Sequence, residues 1–348
     1  MQGYSDAGGS DVVLSRLGTA AALLSRRDRN GSRYLVRRYI YPEIKGRAYD
    51  LNATDAVLSL QSFLKRQWQN YSPSARTAKR INFARQYGPW ALVAGASEGI
   101  GGAWADRAAS EGLAVVLVAR NVEKLESKRR ELATRFGVDV LVVSQDLAEP
   151  DPMERIVATV GDREIGLLVY NAGLASVGGF FENGVEYERQ RLNINCGSPL
   201  ALAFHFGEAM KRRRRGGIVI MSSGTGLIGS PYYTHYGATK AYDISLAEGL
   251  WFELQHDNVH VLSCIAGLTS SPGVTQSLEG ARARGEFIMT PAEVVDEAVE
   301  HLGKRPSVIV GAPNRRKMLL VTRLLPRAIG IREIGKHALE NFLDGVRP

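Results

Sequence analysis

The sequence has few of the features that mark secreted, zinc-binding or membrane-spanning proteins. Its 348 residues include two cysteines, Cys196 and Cys264, far apart and with no CxxC motif or histidine cluster nearby. A disulfide framework and a metal site are therefore not expected, and two unpaired cysteines are typical of a reducing compartment. No apolar run approaches the roughly 20 residues that a membrane-spanning helix requires.

The N-terminal region also lacks the pattern of a targeting peptide. Its short apolar patch, LGTAAALL, is flanked by Asp6, Asp11 and Asp28, and acidic residues are rare in such peptides. We therefore expect a cytoplasmic protein. Basic residues interleaved with aromatic ones, the usual sign of nucleic-acid binding, are not found either, so we expect no nucleic-acid partner.

Charge is present in abundance but is unevenly distributed. The chain has 44 Lys/Arg against 36 Asp/Glu, a formal net charge of +8. Residues 1–89 carry a net +9, residues 90–302 carry −8 and residues 303–348 carry +7. Basic flanks around an acidic centre indicate solvated surfaces or interfaces with acidic partners.

The central region alternates short apolar runs with helical patterns. The runs occupy residues 90–95, 113–119, 138–143, 165–170, 217–222, 259–264 and 307–311. Nearly continuous apolar runs are typical of strands buried on both faces of a parallel sheet. The alternation predicts an α/β fold, a doubly wound parallel sheet of about seven strands over residues 87–311.

Both flanks are predicted to be helical extensions of this domain. Residues 1–86 begin with a Gly/Ser-rich, disordered segment and include a helical pattern at 54–70. Residues 312–348 read as basic amphipathic helices divided near Pro326. A basic solvated face is the ordinary explanation for them. The alternative is contact with an anionic membrane surface. In that case, deletion of residues 312–348 should abolish flotation with liposomes.

A glycine-rich loop follows the first apolar run. The stretch AGASEGIGGA places Gly95, Gly99 and Gly101 around Ser97 and Ile100. Glycines here allow a tight turn and the approach of a pyrophosphate to the backbone, with the next helix presenting its N-terminus to the anion. Three spaced glycines alone are a weak signal, but their position between strand and helix predicts a dinucleotide site.

The end of the second strand indicates which dinucleotide is bound. An acidic residue there usually bonds the ribose hydroxyls of NAD, whereas this strand ends in Arg120, which suits a 2′-phosphate. We therefore predict NADP(H), with NAD(H) the less favoured cofactor and a purely structural arginine as the alternative. Asp146, after the third strand, is a candidate adenine contact, although it could instead cap a helix.

An acid–base pair is predicted further along the chain. Tyr236 lies four residues before Lys240, so both occupy one face of a helix. A phenol has an ordinary pKa of about 10, and a neighbouring ammonium lowers it. Ser222 and Ser223 end the fifth strand, where open α/β sheets bind ligands, and only one of them can face the site.

Together these motifs resemble the short-chain dehydrogenase/reductase family of the single-domain Rossmann type. The resemblance covers about residues 87–311 and is carried by GASEGIG at 95–101, NAG at 171–173, Ser223 and the Tyr236-xxx-Lys240 pair. Asn195, in LNINCGSP, falls where the family has a helix asparagine. The stretches YGPWALVAGASEGIG and VVLVARNVEKLE resemble the branch that acts on hydroxysteroid and long-chain 3-oxoacyl substrates.

The resemblance implies a role for each matching residue. Tyr236 would be the general acid in reduction, and Lys240 would bind the nicotinamide ribose. Ser223 would orient the substrate carbonyl. Asn195 would hold a water in a proton relay, and the alternative for it is a helix amide bonded only to nearby protein groups. The remaining cofactor contacts that the resemblance implies are Asn171, Ala172, Gly173, Gly267 and Thr269. Tyr170 and Ala266 depart from the family, which usually has asparagine and proline at those positions.

The resulting interpretation is an NADPH-dependent reductase of a lipophilic ketone, or the reverse dehydrogenase. Residues 268–290 fall where the family carries its substrate lid. Leucines there and in the C-terminal helices either wall the pocket or simply pack on the core. Two alternatives are an NADP(H)-binding interaction protein without turnover and a nucleotide-sugar epimerase, which the glycine spacing disfavours. The resemblance further implies a homo-oligomer that packs through the helices of Asn195 and Tyr236.

Overall fold

The structure is a computed structural model that describes residues 82–271 and 281–343. The strands of its sheet are β1 (Trp90–Ala94), β2 (Ala114–Ala119), β3 (Val140–Ser144), β4 (Ile165–Tyr170), β5 (Gly216–Ser223), β6 (Val259–Ala266) and β7 (Ser307–Ile309). They are parallel and lie in the order β3-β2-β1-β4-β5-β6-β7. This order confirms the predicted doubly wound α/β fold. The predicted helix at 54–70 lies outside the described residues.

Helices connect most of the strands and extend beyond the last one. They are α1 (Phe83–Tyr87), α2 (Gly99–Ser110), α3 (Val122–Phe136), α4 (Met153–Val160), α5 (Gly184–Leu192), α6 (Ser198–Arg213), α7 (Thr234–Leu254), α8 (Pro291–His301), α9 (Ala312–Leu319) and α10 (Arg327–Phe342). A π-helical turn at Asn193–Gly197 joins α5 to α6, and a second one at Leu320–Leu324 follows α9. Pro326 separates that turn from α10.

The sheet is buried on both faces, as its apolar runs require. Along β1, Ala91 and Val93 pack into one hydrophobic cluster, while Leu92 and Ala94 pack into the other. Successive side chains of a strand point to opposite faces, so a strand covered on both sides must be apolar at every position. Helices α2, α3 and α8 cover the first face, and α4, α6 and α7 cover the second.

The order of the strands also determines where a ligand can bind. The chain proceeds from β1 to β2 and β3 on one side, then crosses back to β4 on the other side of β1. The loops that follow β1 and β4 therefore diverge at the carboxyl edge of the sheet and leave a crevice between them. The glycine loop and the NAG segment lie at this switch point.

Helices α9 and α10 pack onto the segment between β5 and α7. A Cβ added at Gly335 of α10 would lie 3.1 Å from Pro231, and one added at Gly229 would lie 3.5 Å from Ile331. Both glycines therefore permit a close approach of α10 to the chain. The C-terminal helices thus reach the same carboxyl edge as the crevice.

Candidate active site

The glycine loop is folded as its sequence predicts, and the structure shows why each position requires a glycine. Gly95 and Gly99 have φ values of +81° and +59°, which a side chain would strain. A Cβ at Gly101 would lie 1.9 Å from the carbonyl oxygen of Gly95, so helix α2 can follow the strand this closely only without a side chain there.

The first turn of α2 is available to bind an anion. The residue preceding the helix, Glu98, makes no capping hydrogen bond with its side chain and pairs instead with Lys124. The backbone N–H groups at the start of a helix have no intrahelical partner, and they lie at the positive end of its dipole. Ser97 and Ile100 line the cleft beside them. The loop therefore fits the pyrophosphate of a dinucleotide.

Two cations lie where the adenosine end of such a cofactor would bind. Arg120 is exposed at the end of β2, lines the cleft and forms no salt bridge with any residue that the structure describes. Lys124, in the first turn of α3, was missed in the sequence analysis, although it follows Arg120 by only four residues. Both line the cleft, so an additional phosphate there would meet positive charge.

Asp146 lies on the same side of the cleft, in a turn. Its Oδ1 accepts a hydrogen bond from the backbone N–H of Ala148 at 2.9 Å. Helix α4 begins only at Met153, so the alternative that Asp146 caps a helix is wrong. The chain makes a turn between β3 and α4 that the apolar pattern did not indicate.

The NAG segment connects the loops on the two sides of the crevice. The side chain of Asn171 donates to the carbonyl of Gly95 at 3.1 Å, and the N–H of Ala172 donates to Ala94 at 3.0 Å. A Cβ at Gly173 would lie 3.7 Å from Nζ of Lys240, so this glycine keeps the space between the loop and the lysine open. The segment thus fixes the floor of the crevice.

Tyr170, one of the departures from the family pattern, completes the π-helical turn. The N–H of Ser198 donates to Asn193 rather than to Ile194, and Pro199 has no N–H to offer. The carbonyl of Ile194 accepts instead from the hydroxyl of Tyr170. Burial raises the pKa of Tyr170, so the hydroxyl keeps its proton and remains a donor.

Asn195 is fully buried within this turn. Its Oδ1 accepts from the N–H of Leu174 at 2.8 Å, and its Nδ2 donates to the hydroxyl of Thr239 at 2.8 Å. Thr239 in turn donates to the carbonyl of Tyr236 at 2.8 Å. Both ends of the amide are therefore bonded to protein, and Asn195 connects the loop after β4 with the helix of Tyr236.

The predicted acid–base residues lie together at the carboxyl edge of β5. Nζ of Lys240 is 5.9 Å from the ring centre of Tyr236, and both residues line the cleft. Ser222 is turned away, because its hydroxyl donates to the carbonyl of Lys240 at 2.8 Å. Ser223 also lines the cleft, and among the described residues its Oγ accepts only a long hydrogen bond of 3.3 Å from the N–H of Thr225.

The loop after β6 closes the cleft on the other side of these residues. Gly267 and Thr269 line it, and the hydroxyl of Thr269 donates to the carbonyl of Gly267 at 3.2 Å. A Cβ at Gly267 would lie 2.5 Å from the amide nitrogen of Asn314. The start of α9 thus packs directly on the loop in which Ala266 replaces the family's proline. The central part of the predicted lid, residues 272–280, lies outside the described residues.

The far wall of the cleft consists of residues that the sequence analysis did not select. The rings of Tyr236 and Tyr233 are 6.2 Å apart, and the ring of Phe342 lies 5.9 Å from Tyr233. Burial raises the pKa of Tyr233 well above its ordinary value, so its phenol stays neutral. The other C-terminal residues that line the cleft are Asn314, Lys317, Met318, Ile334, His337 and Ala338.

The prediction that leucines form this wall is wrong for the C-terminal helices. Leu268 of the lid does line the cleft, but Leu319, Leu320 and Leu324 are 44, 46 and 68% exposed. The helical phase of α9 and of the turn after it directs these leucines outward. Met318 and the aromatic ring of Phe342 face the cleft in their place.

The whole cleft encloses about 900 Å³ and extends from Arg120 to Phe342. Within the described ranges, no group of three or more His, Cys, Asp or Glu is arranged to bind a metal ion. Of the helices in the same ranges, none is both long and apolar enough to cross a membrane.

Comparison with known proteins identifies the family. The sequence model of the short chain dehydrogenases matches residues 89–282. A 7beta-hydroxysteroid dehydrogenase of Mediterraneibacter gnavus is 36% identical over 239 residues, which are 68% of this chain and 90% of the relative. A very-long-chain 3-oxoacyl-CoA reductase of Meyerozyma guilliermondii is 31% identical over 68% of this chain and 70% of its own length.

Solved structures agree with the sequence relatives. A structure reported for the stereoselectivity of a 7beta-hydroxysteroid dehydrogenase has a TM-score of 0.70 at 31% identity, covering 73% of this chain and all of that one. A short-chain dehydrogenase from Sphingobium yanoikuyae in complex with NADPH has a TM-score of 0.59 at 28% identity, covering 68% and 94%.

The chain therefore belongs to the short-chain dehydrogenase family, and its relatives lie in the hydroxysteroid and 3-oxoacyl reductase branch. This confirms the resemblance seen in the sequence. It also makes the protein an NAD(P)-dependent oxidoreductase that interconverts a ketone and an alcohol.

Proposed function

We propose that the protein reduces a lipophilic ketone with NADPH, or oxidises the corresponding alcohol, through Ser223, Tyr236 and Lys240. The observation that carries this proposal is that the three residues meet the glycine loop in a single cleft at the carboxyl edge of the sheet. A phenol, a hydroxyl and an ammonium converge there beside a loop that fits a pyrophosphate. In the mechanism, Lys240 would bind the nicotinamide ribose, and the two other residues act on the substrate.

Ser223 orients the substrate and Tyr236 moves the proton. The hydroxyl of Ser223 accepts one long bond and can therefore donate its own hydrogen to the substrate's carbonyl oxygen. When bound, the nicotinamide supplies the hydride for the carbonyl carbon. The phenol of Tyr236 protonates the developing alkoxide, a general-acid step that contributes about 10²- to 10⁴-fold to the rate.

The preference for NADPH rests on the charges at the adenosine end of the cleft. Arg120 has no ionic partner among the described residues, and a guanidinium can bind a phosphate with two parallel hydrogen bonds. Lys124 is already paired with Glu98, so Arg120 is the cation available to a 2′-phosphate. Complexes with NADPH among the structural relatives support this assignment.

The lipophilic class of substrate follows from the wall of the cleft beyond Tyr236. Tyr233, Phe287, Met318, Ile334 and Phe342 present aromatic and aliphatic surface on that side. Burying an apolar ligand there is favourable by about 25 cal/mol per Å² of surface removed from water. The relatives named for hydroxysteroids and very-long-chain 3-oxoacyl-CoA point to a steroid-like, 3-oxoacyl or polyketide-like ketone.

Three further hypotheses concern the surroundings of the enzyme. Phe204 of α6 and Phe252 of α7 are 75 and 66% exposed, which suits a homo-oligomer that covers both helices. Sedimentation as a monomer at micromolar concentration would contradict this.

The outward leucines of α9 and of the turn after it are consistent with a separate hypothesis, peripheral contact with a membrane. This hypothesis fails if liposome flotation is the same with and without residues 312–348. Action in the cytoplasm also remains a proposal, testable by cell fractionation.

The test of the main proposal is ketone turnover in wild type and in Tyr236→Phe. We expect NADPH oxidation with at least one aliphatic, steroid or 3-oxoacyl ketone, and a loss of about 10³-fold in the variant, since the phenol is the proton donor. The control is Tyr232→Phe, which removes a hydroxyl four residues earlier, outside the cleft lining. NADPH binding should be the same in all three proteins. Tight binding of NADPH without turnover of any ketone would instead favour an interaction protein.

A further inference from the structure

Lys240 has a buried anionic partner on its own helix. Its Nζ donates to Oδ2 of Asp243 and to the carbonyl of Met221, each at 2.9 Å. Asp243 is 0% and Lys240 4% exposed, so neither charge is screened by water. Along α7, Tyr236 lies one turn before Lys240 and Asp243 one turn after it, which places the ammonium between the phenol and the carboxylate.

The stability of the fold does not explain this carboxylate. Oδ1 of Asp243 has no hydrogen-bond partner among the described residues, so only half of the group is satisfied. A buried carboxylate is unfavourable unless it is paired and fully hydrogen-bonded, and an apolar side chain of similar size is usually at least as stable there. Burial raises the pKa of Asp243 to about 6, and Lys240 opposes that rise.

The effect of the pair is greatest on the lysine. Burial alone would lower the pKa of Lys240 and favour its neutral form, but the charge of Asp243 opposes burial and the pKa is raised. The other titratable groups facing Asp243 are Tyr242 on the same helix, Tyr170 on β4 and Cys196 in the π-helical turn. Burial raises the pKa of each of these three, so they stay neutral. Lys240 and Asp243 are then the charged groups of the cluster.

We propose that Asp243 is a positioning residue for the proton-transfer site, which keeps Lys240 charged and, together with the carbonyl of Met221, holds two of its three N–H donors. An ammonium has three such donors. Two are bonded to Asp243 and Met221, so the third remains for the ribose hydroxyl that the family resemblance assigns to this lysine. This inference rests on the proposed function, in which Lys240 acts beside Tyr236.

The first test uses the protein without cofactor. Lys240 is pulse-labelled with acetic anhydride over a range of pH and quantified by peptide mass spectrometry, in wild type and in Asp243→Asn. Only the neutral amine reacts, so the pH of half-maximal labelling should fall by about one unit or more once the anion is removed. Labelling does not depend on turnover, so its result stands even if no ketone substrate is found.

The second test is the pH profile of ketone reduction. Removing a negative charge lowers the proton affinity of every group that faces it, so the alkaline limb of kcat should move to lower pH in Asp243→Asn. A purely structural role would lower kcat equally at all pH values. The matched control is Asp106→Asn, which breaks a lysine–aspartate pair with Lys128 at 2.8 Å, outside the cleft lining.

Asp243→Ser provides a second variant if the asparagine protein does not fold, since the smaller side chain leaves room for water. Either variant should shift both curves, whereas Asp106→Asn should shift neither. Labelling and rate profiles of a folded Asp243 variant that superimpose on those of wild type would overturn the proposal. An equal shift in Asp106→Asn would overturn it as well, because the effect would then not be specific to Lys240.

Discussion

The two halves of the cleft are constructed in different ways. The cofactor half uses short contiguous segments, such as the glycine loop at 95–101 and the NAG segment at 171–173, and it depends mainly on backbone geometry. The substrate half brings together Tyr233, Phe287 and Phe342, which are far apart in the chain and meet only through side-chain packing. The first half is thus built from short segments with a recognisable local pattern, whereas the second is built from single side chains that no local pattern links.

This difference has consequences for substitution. A backbone that passes within van der Waals distance of another segment tolerates no added atom, so changes in the cofactor half should be severe and general. An apolar wall made from several side chains loses only part of its contact area when one of them is truncated. We therefore expect the substrate half to show smaller and more selective effects.

The largest effect is expected for Gly101→Ala. Its Cβ would lie 1.9 Å from the carbonyl oxygen of Gly95 and 2.7 Å from the side chain of Asn171, so the loop must move. NADPH affinity, measured by cofactor fluorescence, should fall by about 100-fold or more. Gly102→Ala is the control, since its Cβ would meet nothing closer than 3.9 Å. Similar NADPH affinities in the two variants would contradict the conclusion that the cofactor half depends on close backbone approach.

A smaller and more selective effect is expected for Arg120→Ala. A lost charge-assisted hydrogen bond to phosphate corresponds to about 1.5–3 kcal/mol, so the Kd for NADPH should rise by about tenfold or more. The Kd for NADH should hardly change, because NADH has no 2′-phosphate. Arg130→Ala, an exposed arginine of the following helix outside the cleft lining, is the control. Parallel loss of both cofactors in Arg120→Ala would show that the arginine is structural.

The smallest effect is expected for Phe342→Ala in the substrate half. Its ring forms part of the apolar wall, 5.9 Å from the ring of Tyr233, so its removal should raise the KM for a bulky ketone several-fold. NADPH affinity should stay the same. Ile329→Ala is the control on the same helix, where the side chain is 44% exposed and outside the cleft lining. A change in NADPH affinity with an unchanged KM would assign Phe342 to the cofactor half and contradict the prediction.

The same contrast explains what could be predicted from the sequence. All seven strands were predicted, because a strand buried on both faces leaves a continuous apolar run. Gly95, Gly99 and Gly101 were predicted because a tight turn and a close backbone approach admit little else. The structure also brings Ser223, Tyr236 and Lys240 into one cleft, although their catalytic roles remain proposals.

The residues that were missed depend on how separate elements pack. Lys124 had a readable signal, its position only four residues after Arg120 at the start of the next helix. Phe342 and Met318 had none, since amphipathic periodicity shows that a helix has an apolar face but not what that face covers. For this reason the leucines of α9 were placed on the wrong side. Asp243 was missed for a related reason, since burial of a carboxylate is visible only once the fold is known.

The bond between Tyr170 and the π-helical turn makes two distant positions dependent on each other. Pro199 removes a donor from the helix, and the hydroxyl of Tyr170, on a neighbouring strand, takes its place at the carbonyl of Ile194. With an ordinary amino acid at 199 the hydroxyl would be redundant, and without the hydroxyl the proline would leave a half-buried carbonyl without a partner from the protein. The unusual tyrosine is therefore one half of a compensated pair, and related chains should exchange both residues together or neither.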